Sequence, residues 1–423
     1  MKVLVIGSGG REHAICWKFS QSPHLTDLYC APGNAGIAEV ATCLKTNVND
    51  INALADLAEQ IGADFTFVGP EAPLVAGIAE VFAARNLRIL APSRMAAQLE
   101  GSKIFAKEFM SRHKIPTAQF AACDSIEAAR QAMQNSFKFP VVVKADGLAA
   151  GKGVRIVGDA QEFEEALTAM MSERVFGDAG IRVVLEECLF GREASLMIFT
   201  DGQDYKIIAP AQDYKRANDN DEGLNTGGMG SFSINGLIDV ALLEKCKREI
   251  IEPTLAGLNA EGNAFRGILY TGLMFTDEGA KVIEYNARFG DPETQAVMVR
   301  LESDLVEICQ AIIDQRIAST DVKWSDEASV CIVAASGGYP ENFEKGKVIS
   351  GLEEANKVEE VRVFHAGTAF DDEDAYVTNG GRVLGVTARA QTLETARARA
   401  YEALGKINFE RMHYRQDIAL VKH

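Results

Sequence analysis

The run Lys2-Val-Leu-Val-Ile6 passes into Gly7-Ser-Gly-Gly10 and then into an apolar-periodic stretch, which reads as strand, glycine turn and helix. Two similar units follow. Leu25 to Ala31 runs into Pro32-Gly-Asn-Ala-Gly36, and Phe65-Thr-Phe-Val68 runs into Gly69-Pro-Glu71. Strands alternating with helices of this length predict a parallel sheet covered on both faces. Ligands of such a sheet sit at the carboxyl ends of its strands, where all three turns lie.

Beyond Ile115-Pro-Thr117 the pattern changes. A helix near Ser125 to Gln134 precedes the apolar run Val141-Val-Val143, a glycine-rich loop and a short strand, Val154 to Val157. Strands then follow at Val183 to Leu189, Ala194 to Thr200 and Tyr205 to Ala209, the last two joined by the hairpin signal Asp201-Gly202. Asp213 to Gly236 is polar, glycine-rich and unpatterned, the mark of a functional or disordered loop. A helix from Ile238 to Leu258 leads to strands Gly267 to Phe275 and Ala280 to Asn286. From Trp324 onward come Ser329 to Ala335, Val361 to His365 and Arg382 to Ala388, closed by a helix from Thr392, a fitting N-cap, to Ile407. A chain of 423 residues exceeds one ordinary core, so three or four modules of roughly 80 to 200 residues are expected.

At 47% hydrophobic and 24% charged residues the chain is folded rather than disordered. A formal charge of -17 repels a nucleic-acid backbone and an anionic membrane, while a few local cations still suffice for a small phosphorylated ligand. The eight cysteines are scattered, without a C-x-x-C pair, and read as reduced core fillers. The run Val3 to Ile6 is too short for a signal peptide's apolar region of about 7 to 15 residues. No stretch approaches the roughly 18 apolar residues of a membrane span, so the cytoplasm is expected.

Gly7-Ser-Gly-Gly-Arg-Glu12 resembles a dinucleotide fingerprint, yet Glu12 stands where Gly or Ala is required, and the second strand ends in Tyr-Cys-Ala31 without an acid for a ribose. An NAD-dependent oxidoreductase is therefore disfavoured. Two readings stay open, a helix N-terminus that holds an anion and a plain structural turn. Lys144-Ala-Asp-Gly-Leu-Ala-Ala-Gly151-Lys152-Gly153 is stronger: its glycines let backbone approach a polyphosphate between two lysines. It is no Walker A loop, since Gly153 replaces Ser or Thr and a strand follows. Two strands joined by such a loop describe a lid. Glu186-Glu-Cys-Leu-Phe-Gly-Arg-Glu193 then ends a strand with backbone groups free for an adenine rim and an acid for ribose hydroxyls. In Val282-Ile-Glu284-Tyr-Asn286-Ala-Arg288, alternate residues share a face, so Glu284 and Asn286 present two oxygens suited to magnesium and Arg288 a fork for carboxylate or phosphoryl oxygens. The preceding strand, Tyr270 to Phe275, adds no carboxylate.

Together these residues resemble the ATP-grasp ligases, and more narrowly the phosphoribosylamine-glycine ligase family. The narrow resemblance rests on Gly7-Ser-Gly-Gly-Arg-Glu-His13, Pro32-Gly-Asn-Ala-Gly36, Gly69-Pro-Glu-Ala-Pro-Leu-Val-Ala-Gly77 and Gly101-Ser-Lys103. It continues through Lys144 to Gly153, Asn225-Thr-Gly-Gly-Met-Gly230 and Arg288-Phe-Gly-Asp-Pro-Glu-Thr-Gln295, and covers essentially the whole chain. The implied fold is an α/β chain: an N-terminal parallel, Rossmann-like α/β domain over 1–102, an ATP-grasp domain over 103–325 with a small mobile lid near 118–190, and a C-terminal α+β domain over 326–423.

The resemblance implies ATP-dependent joining of glycine to 5-phosphoribosylamine through a glycyl phosphate, in purine biosynthesis, by a monomer using Mg2+, with Mn2+ as a substitute. It assigns Lys103, Lys144, Gly151, Lys152, Gly153, Glu186, Glu187, Leu189 and Glu193 to the nucleotide, and Glu284 and Asn286 to the metal. It assigns Gly9, Gly10, Arg11, Glu12, Asn34, Glu71, Gly290 and Asp291 to substrate, and Asp213, Lys215 and Arg288 to the reacting groups. Tyr214 stands where relatives carry His and Leu224 where they carry Pro. Two alternatives are another ATP-grasp ligase and a non-catalytic ATP-binding protein.

Overall fold

The computed structural model describes residues 1–149 and 153–420. Five parallel strands open it: β1 (Lys2–Gly7), β2 (Asp27–Pro32), β3 (Thr42–Cys43), β4 (Phe65–Val68) and β5 (Ile89–Leu90), in the order β3-β2-β1-β4-β5. Val3 to Ile6 are fully buried because helices cover both faces, as the unbroken apolar run predicts. Since β1 pairs with β2 on one side and β4 on the other, the strand order reverses around it and a crevice opens at its carboxyl end.

The next unit is antiparallel: β6 (Phe120–Cys123), β7 (Val141–Ala145), β8 (Val154–Val157) and β9 (Val183–Glu187), ordered β6-β9-β7-β8. Ser125 caps its helix Ile126–Ser136 by accepting the Ala128 N–H at 3.2 Å. Val141, Val143, Phe163, Met170 and Leu185 form a core of its own, separate from the clusters beneath the rest of the chain.

The chain continues through β10 (Arg192–Thr200), β11 (Tyr205–Ile207), β12 (Gln212–Asp213), β13 (Arg216–Asn218), β14 (Glu222–Asn225) and β15 (Gly230–Ser233) to β16 (Gly267–Thr276) and β17 (Gly279–Asn286). An antiparallel sheet, β11-β10-β16-β17, faces the lid unit. The helical stretch expected from Ile238 to Leu258 is Val240–Cys246 and Glu252–Ala260, joined through a π-turn at Lys247–Ile251.

The stretch from Asp213 to Gly236 corrects the sequence reading, for it is not an unpatterned loop. It holds β13 and β14, which pair as a hairpin, and β15, which pairs with β12 on one edge and with β18 (Ala328–Ala335) on the other. Strands of two to four residues are too short to show period-two alternation, and their partners are remote in the chain.

The terminal sheet then takes the order β12-β15-β18-β22-β19, with β19 (Val361–His365), the β20 (Thr368–Phe370) and β21 (Tyr376–Thr378) hairpin, and β22 (Arg382–Ala390). Thr392 caps the closing helix Leu393–Leu404. Residues 413–420 return to clasp the β13–β14 hairpin. His413 Nε2 lies 2.8 Å from the Ala217 carbonyl, and Arg415, 1% exposed, donates to the Arg216 carbonyl at 3.1 Å and to Asp221 at 2.9 Å. Arg415 also forks onto Asp417 with two bonds of 2.7 Å and covers the Tyr214 ring, whose hydroxyl accepts from the Ala419 N–H. That gives Tyr214 a packing role.

Among the described residues no helix is long and apolar enough to cross a membrane.

Candidate active site

A cleft of about 990 Å³ lies where the β1 crevice, the lid sheet and the β10–β17 sheet meet. Its lining includes Gly9, Arg11, Glu12, Glu71, Lys103, Lys144, Gly153, Glu186, Glu187, Leu189, Glu193, Asp213, Lys215, Glu284, Asn286, Arg288, Gly290 and Asp291. Gly10 and Asn34 lie outside that lining. A side chain at Gly10 would collide with Gln295, so this glycine serves the close approach of helix Gly10–Phe19 to the segment carrying Gln295. Asn34 donates to the carbonyls of Ser8 and His365 and ties the first domain to the last. Gly151 and Lys152 fall outside the described residues.

The lid side of the cleft is built on charge. Lys144, on β7, and Lys107, on the helix Lys103–Arg112, both pair with the buried Glu186 of β9, at 2.9 and 2.8 Å. Burial raises the Glu186 carboxyl, but the two lysines outweigh it and hold the group below the usual carboxylate range. Burial lowers Lys107 to about 8, despite Glu186, and also lowers Lys103, which donates to the Gly147 carbonyl at 3.1 Å. Past the end of β9 the N–H of Leu189 has no hydrogen-bond partner among the described residues and borders the cleft.

Opposite, β17 carries Glu284 and Asn286 on one face. Lys215 lies 3.4 Å from Glu284 and, with Lys144 and Lys103, depresses its carboxyl to about 2 against the effect of burial. Asp213 behaves oppositely. Burial pushes it up to about 7, Lys215 pulls against this, and Glu293, Glu193 and Glu284 add to the rise.

Below these groups Arg288 pairs with Glu100 at 2.7 Å and Glu71 at 3.3 Å. Arg382, delivered by β22, donates to the carbonyls of Gly227 at 2.6 Å and Asp291 at 2.9 Å, and lies 3.3 Å from the Asp291 carboxylate. Glu12, which borders the cleft, is also engaged within the protein. Its carboxylate accepts the Gly9 N–H at 2.7 Å and pairs with Arg11 at 2.6 Å, so the chain's own anion occupies the first turn of the helix. A side chain at Gly7, whose φ is +130°, or at Gly69 would overlap it.

Glu100, Lys107 and Arg382 border the cleft, and none was singled out from the sequence. Lys107 had one readable signal, its position one helical turn after Lys103.

The sequence matches the phosphoribosylglycinamide synthetase N domain over residues 1–100, its ATP-grasp (A) domain over 101–294 and its C domain over 329–421. It is 48% identical over 419 residues to a phosphoribosylamine–glycine ligase of Caldanaerobacter subterraneus, covering 99% of each chain. It is 47% identical over 424 residues to that of Escherichia coli, covering 99% of this chain and 98% of the other. Its fold superposes on the crystal structure of phosphoribosylamine–glycine ligase from Thermotoga maritima with a TM-score of 0.86 at 35% identity, over 99% of this chain and 100% of that one. On these matches, which run through all three domains and nearly every residue, the chain belongs to the phosphoribosylglycinamide synthetase family of ATP-grasp ligases.

Proposed function

We propose that this chain joins glycine to 5-phosphoribosylamine at the expense of ATP, releasing ADP, phosphate and glycinamide ribonucleotide. The observation that carries the reading is the juxtaposition of Lys103 and Lys144 with Glu284 across one cleft, beside Lys215 and Arg288. Cations and oxygen ligands so arranged suit a phosphoryl group in transfer, because that transition state needs positioning and charge neutralisation more than covalent help.

In this reading the adenine edge meets the free N–H of Leu189, Glu193 takes ribose hydroxyls, and Lys103 and Lys144 meet phosphates. Glu284 and Asn286 would hold Mg2+, and the donor set fits. Glu284 is strongly biased towards its ionised form, and magnesium takes one or two protein oxygens when phosphates supply others. Bound there, the ion neutralises phosphate charge; Mn2+ suits the same oxygens. Glycine's carboxylate lies near Lys215 and Arg288, where it takes the terminal phosphoryl group to become glycyl phosphate. The sugar amine attacks that carbonyl and expels phosphate. Asp213, with its carboxyl near 7, is poised to receive the proton that the amine gives up. The ribose phosphate lies towards Gly9, Arg11, Glu71, Gly290 and Asp291, and Glu12 acts by fixing Arg11 and the Gly9 turn.

A coupled ADP-release assay across candidate acids and amines tests this. ADP is expected only when glycine and phosphoribosylamine are both present. Rapid turnover with D-alanine or bicarbonate, and none with glycine, overturns the substrate assignment.

A further inference from the structure

Glu186 is one carboxylate facing two ammonium groups. Lys107 pairs with its Oε2 at 2.8 Å and Lys144 with its Oε1 at 2.9 Å, and all three residues are at most 4% exposed. The trio therefore carries one positive charge in excess. That excess is shared in part with Glu284, whose carboxyl Lys144 helps to depress, and a bound polyphosphate would share it further.

The two lysines are not equivalent. Lys107 Nζ also donates to Thr117 Oγ1 at 2.8 Å, and that hydroxyl donates in turn to the Val282 carbonyl at 2.7 Å, so Lys107 is tied into the floor beneath the cleft. Among the described residues Lys144 donates only to the Ile283 carbonyl, at 3.3 Å, besides pairing with Glu186, and it stands near the end of β7 where the glycine loop begins. If Lys144 turned away from Glu186 with no other cation present, it would strand a buried carboxylate. Lys107 removes that penalty.

We propose that Lys107 is a positioning residue that serves as the standing counter-ion of Glu186, so that Lys144 is released to the phosphates of a bound nucleotide. This rests on the nucleotide reading of the cleft given above. Its consequence is specific: Lys107 supports affinity for phosphates and not for the nucleoside.

The test is equilibrium binding of ATP and of adenosine, the latter by competition, to wild-type protein, Lys107→Met, Lys107→Arg, Glu186→Gln and the double variant Lys107→Met/Glu186→Gln. Lys107→Met is expected to weaken ATP roughly 10- to 100-fold, the worth of one charge-assisted hydrogen bond, and to leave adenosine unchanged. Lys107→Arg should restore most of the loss. Measured against Glu186→Gln alone, the double variant should lose little ATP affinity, because a neutral amide in place of the Glu186 carboxylate no longer holds Lys144. A melting profile of each variant separates misfolding from a loss of affinity, and Lys107→Arg, which keeps the charge, preserves the test where Lys107→Met does not fold. Parallel losses of ATP and adenosine, or an unaltered ATP affinity, overturn the proposal while leaving the nucleotide reading in place. Wild-type protein that fails to bind ATP overturns the nucleotide reading itself.

Discussion

Arg288 Nη2 stands 2.7 Å from Oε1 of Glu100, whose Oε2 accepts the Ala287 N–H at 2.7 Å. Glu100 thereby fixes both the guanidinium and the backbone that bears it. Burial pushes its carboxyl up to about 7, with Arg288 pulling down and Glu71 pushing up. Glu100→Gln keeps the shape and removes the charge. We expect it to lower kcat/KM for glycine roughly 10- to 100-fold, the value of one ionic hydrogen bond, with an unchanged melting profile. A steady-state assay with glycine varied checks this, and wild-type kinetics would show that Arg288 needs no such support.

Glu284 is the acidic oxygen donor of the pair on β17. Glu284→Ala should suppress turnover by about 100-fold or more and raise the magnesium concentration needed for half-maximal rate, since it removes a charge aimed at the reacting phosphate. Circular dichroism should report the same fold. Wild-type activity of this variant at low magnesium would remove Glu284 from the metal site.

Asp213 must be ionised to accept a proton. Its carboxyl lies near 7, so the wild-type kcat/KM for the amine is expected to rise as pH increases through that region. Asp213→Asn should be slow and flat across the same interval. A variant that keeps the wild-type pH limb would assign that limb to another group.

His13 and His365 meet between the first and last domains, where the His365 N–H donates to His13 Nδ1 at 2.8 Å. Burial holds both rings neutral, at about 3 for His13 and about 4 for His365. The unfolded chain takes protons below about 6.5 while the folded one does not, so stability is full above that value and falls as pH drops from there towards 4. Each ring should cost about 2 kcal/mol at pH 5 relative to pH 8. His13→Gln retains an acceptor and should remove roughly half of that loss. Urea unfolding at the two pH values measures it.

What could be read in advance follows from how local each signal is. Three of the five parallel strands announced themselves because runs such as Val3 to Ile6 are buried on both faces, whereas the two-residue strands β3 and β5 gave no such signal; β10 and β11 were marked by the turn Asp201-Gly202. Glu284 and Asn286 could be placed on one face from strand geometry alone. β12 and β15 could not, because their identity as strands is conferred by pairing with residues far along the chain. Arg382 was illegible for the same reason: its partners Gly227 and Asp291 lie 155 and 91 residues away in the ATP-grasp domain. Asn34 and Glu12 carried motif positions that suggested ligand contact, whereas their polar atoms are largely spent on the protein's own backbone and on Arg11.

The clasp of residues 413–420 on the β13–β14 hairpin has a bearing on synthesis. Lys215 directly precedes that hairpin, and the cation that secures the hairpin, Arg415, is translated 199 residues after its partner Arg216. A ribosome-bound chain that has already made nearly every cleft residue still lacks this fastener. The hairpin beside Lys215 can be fastened in this way only after Arg415 has been made.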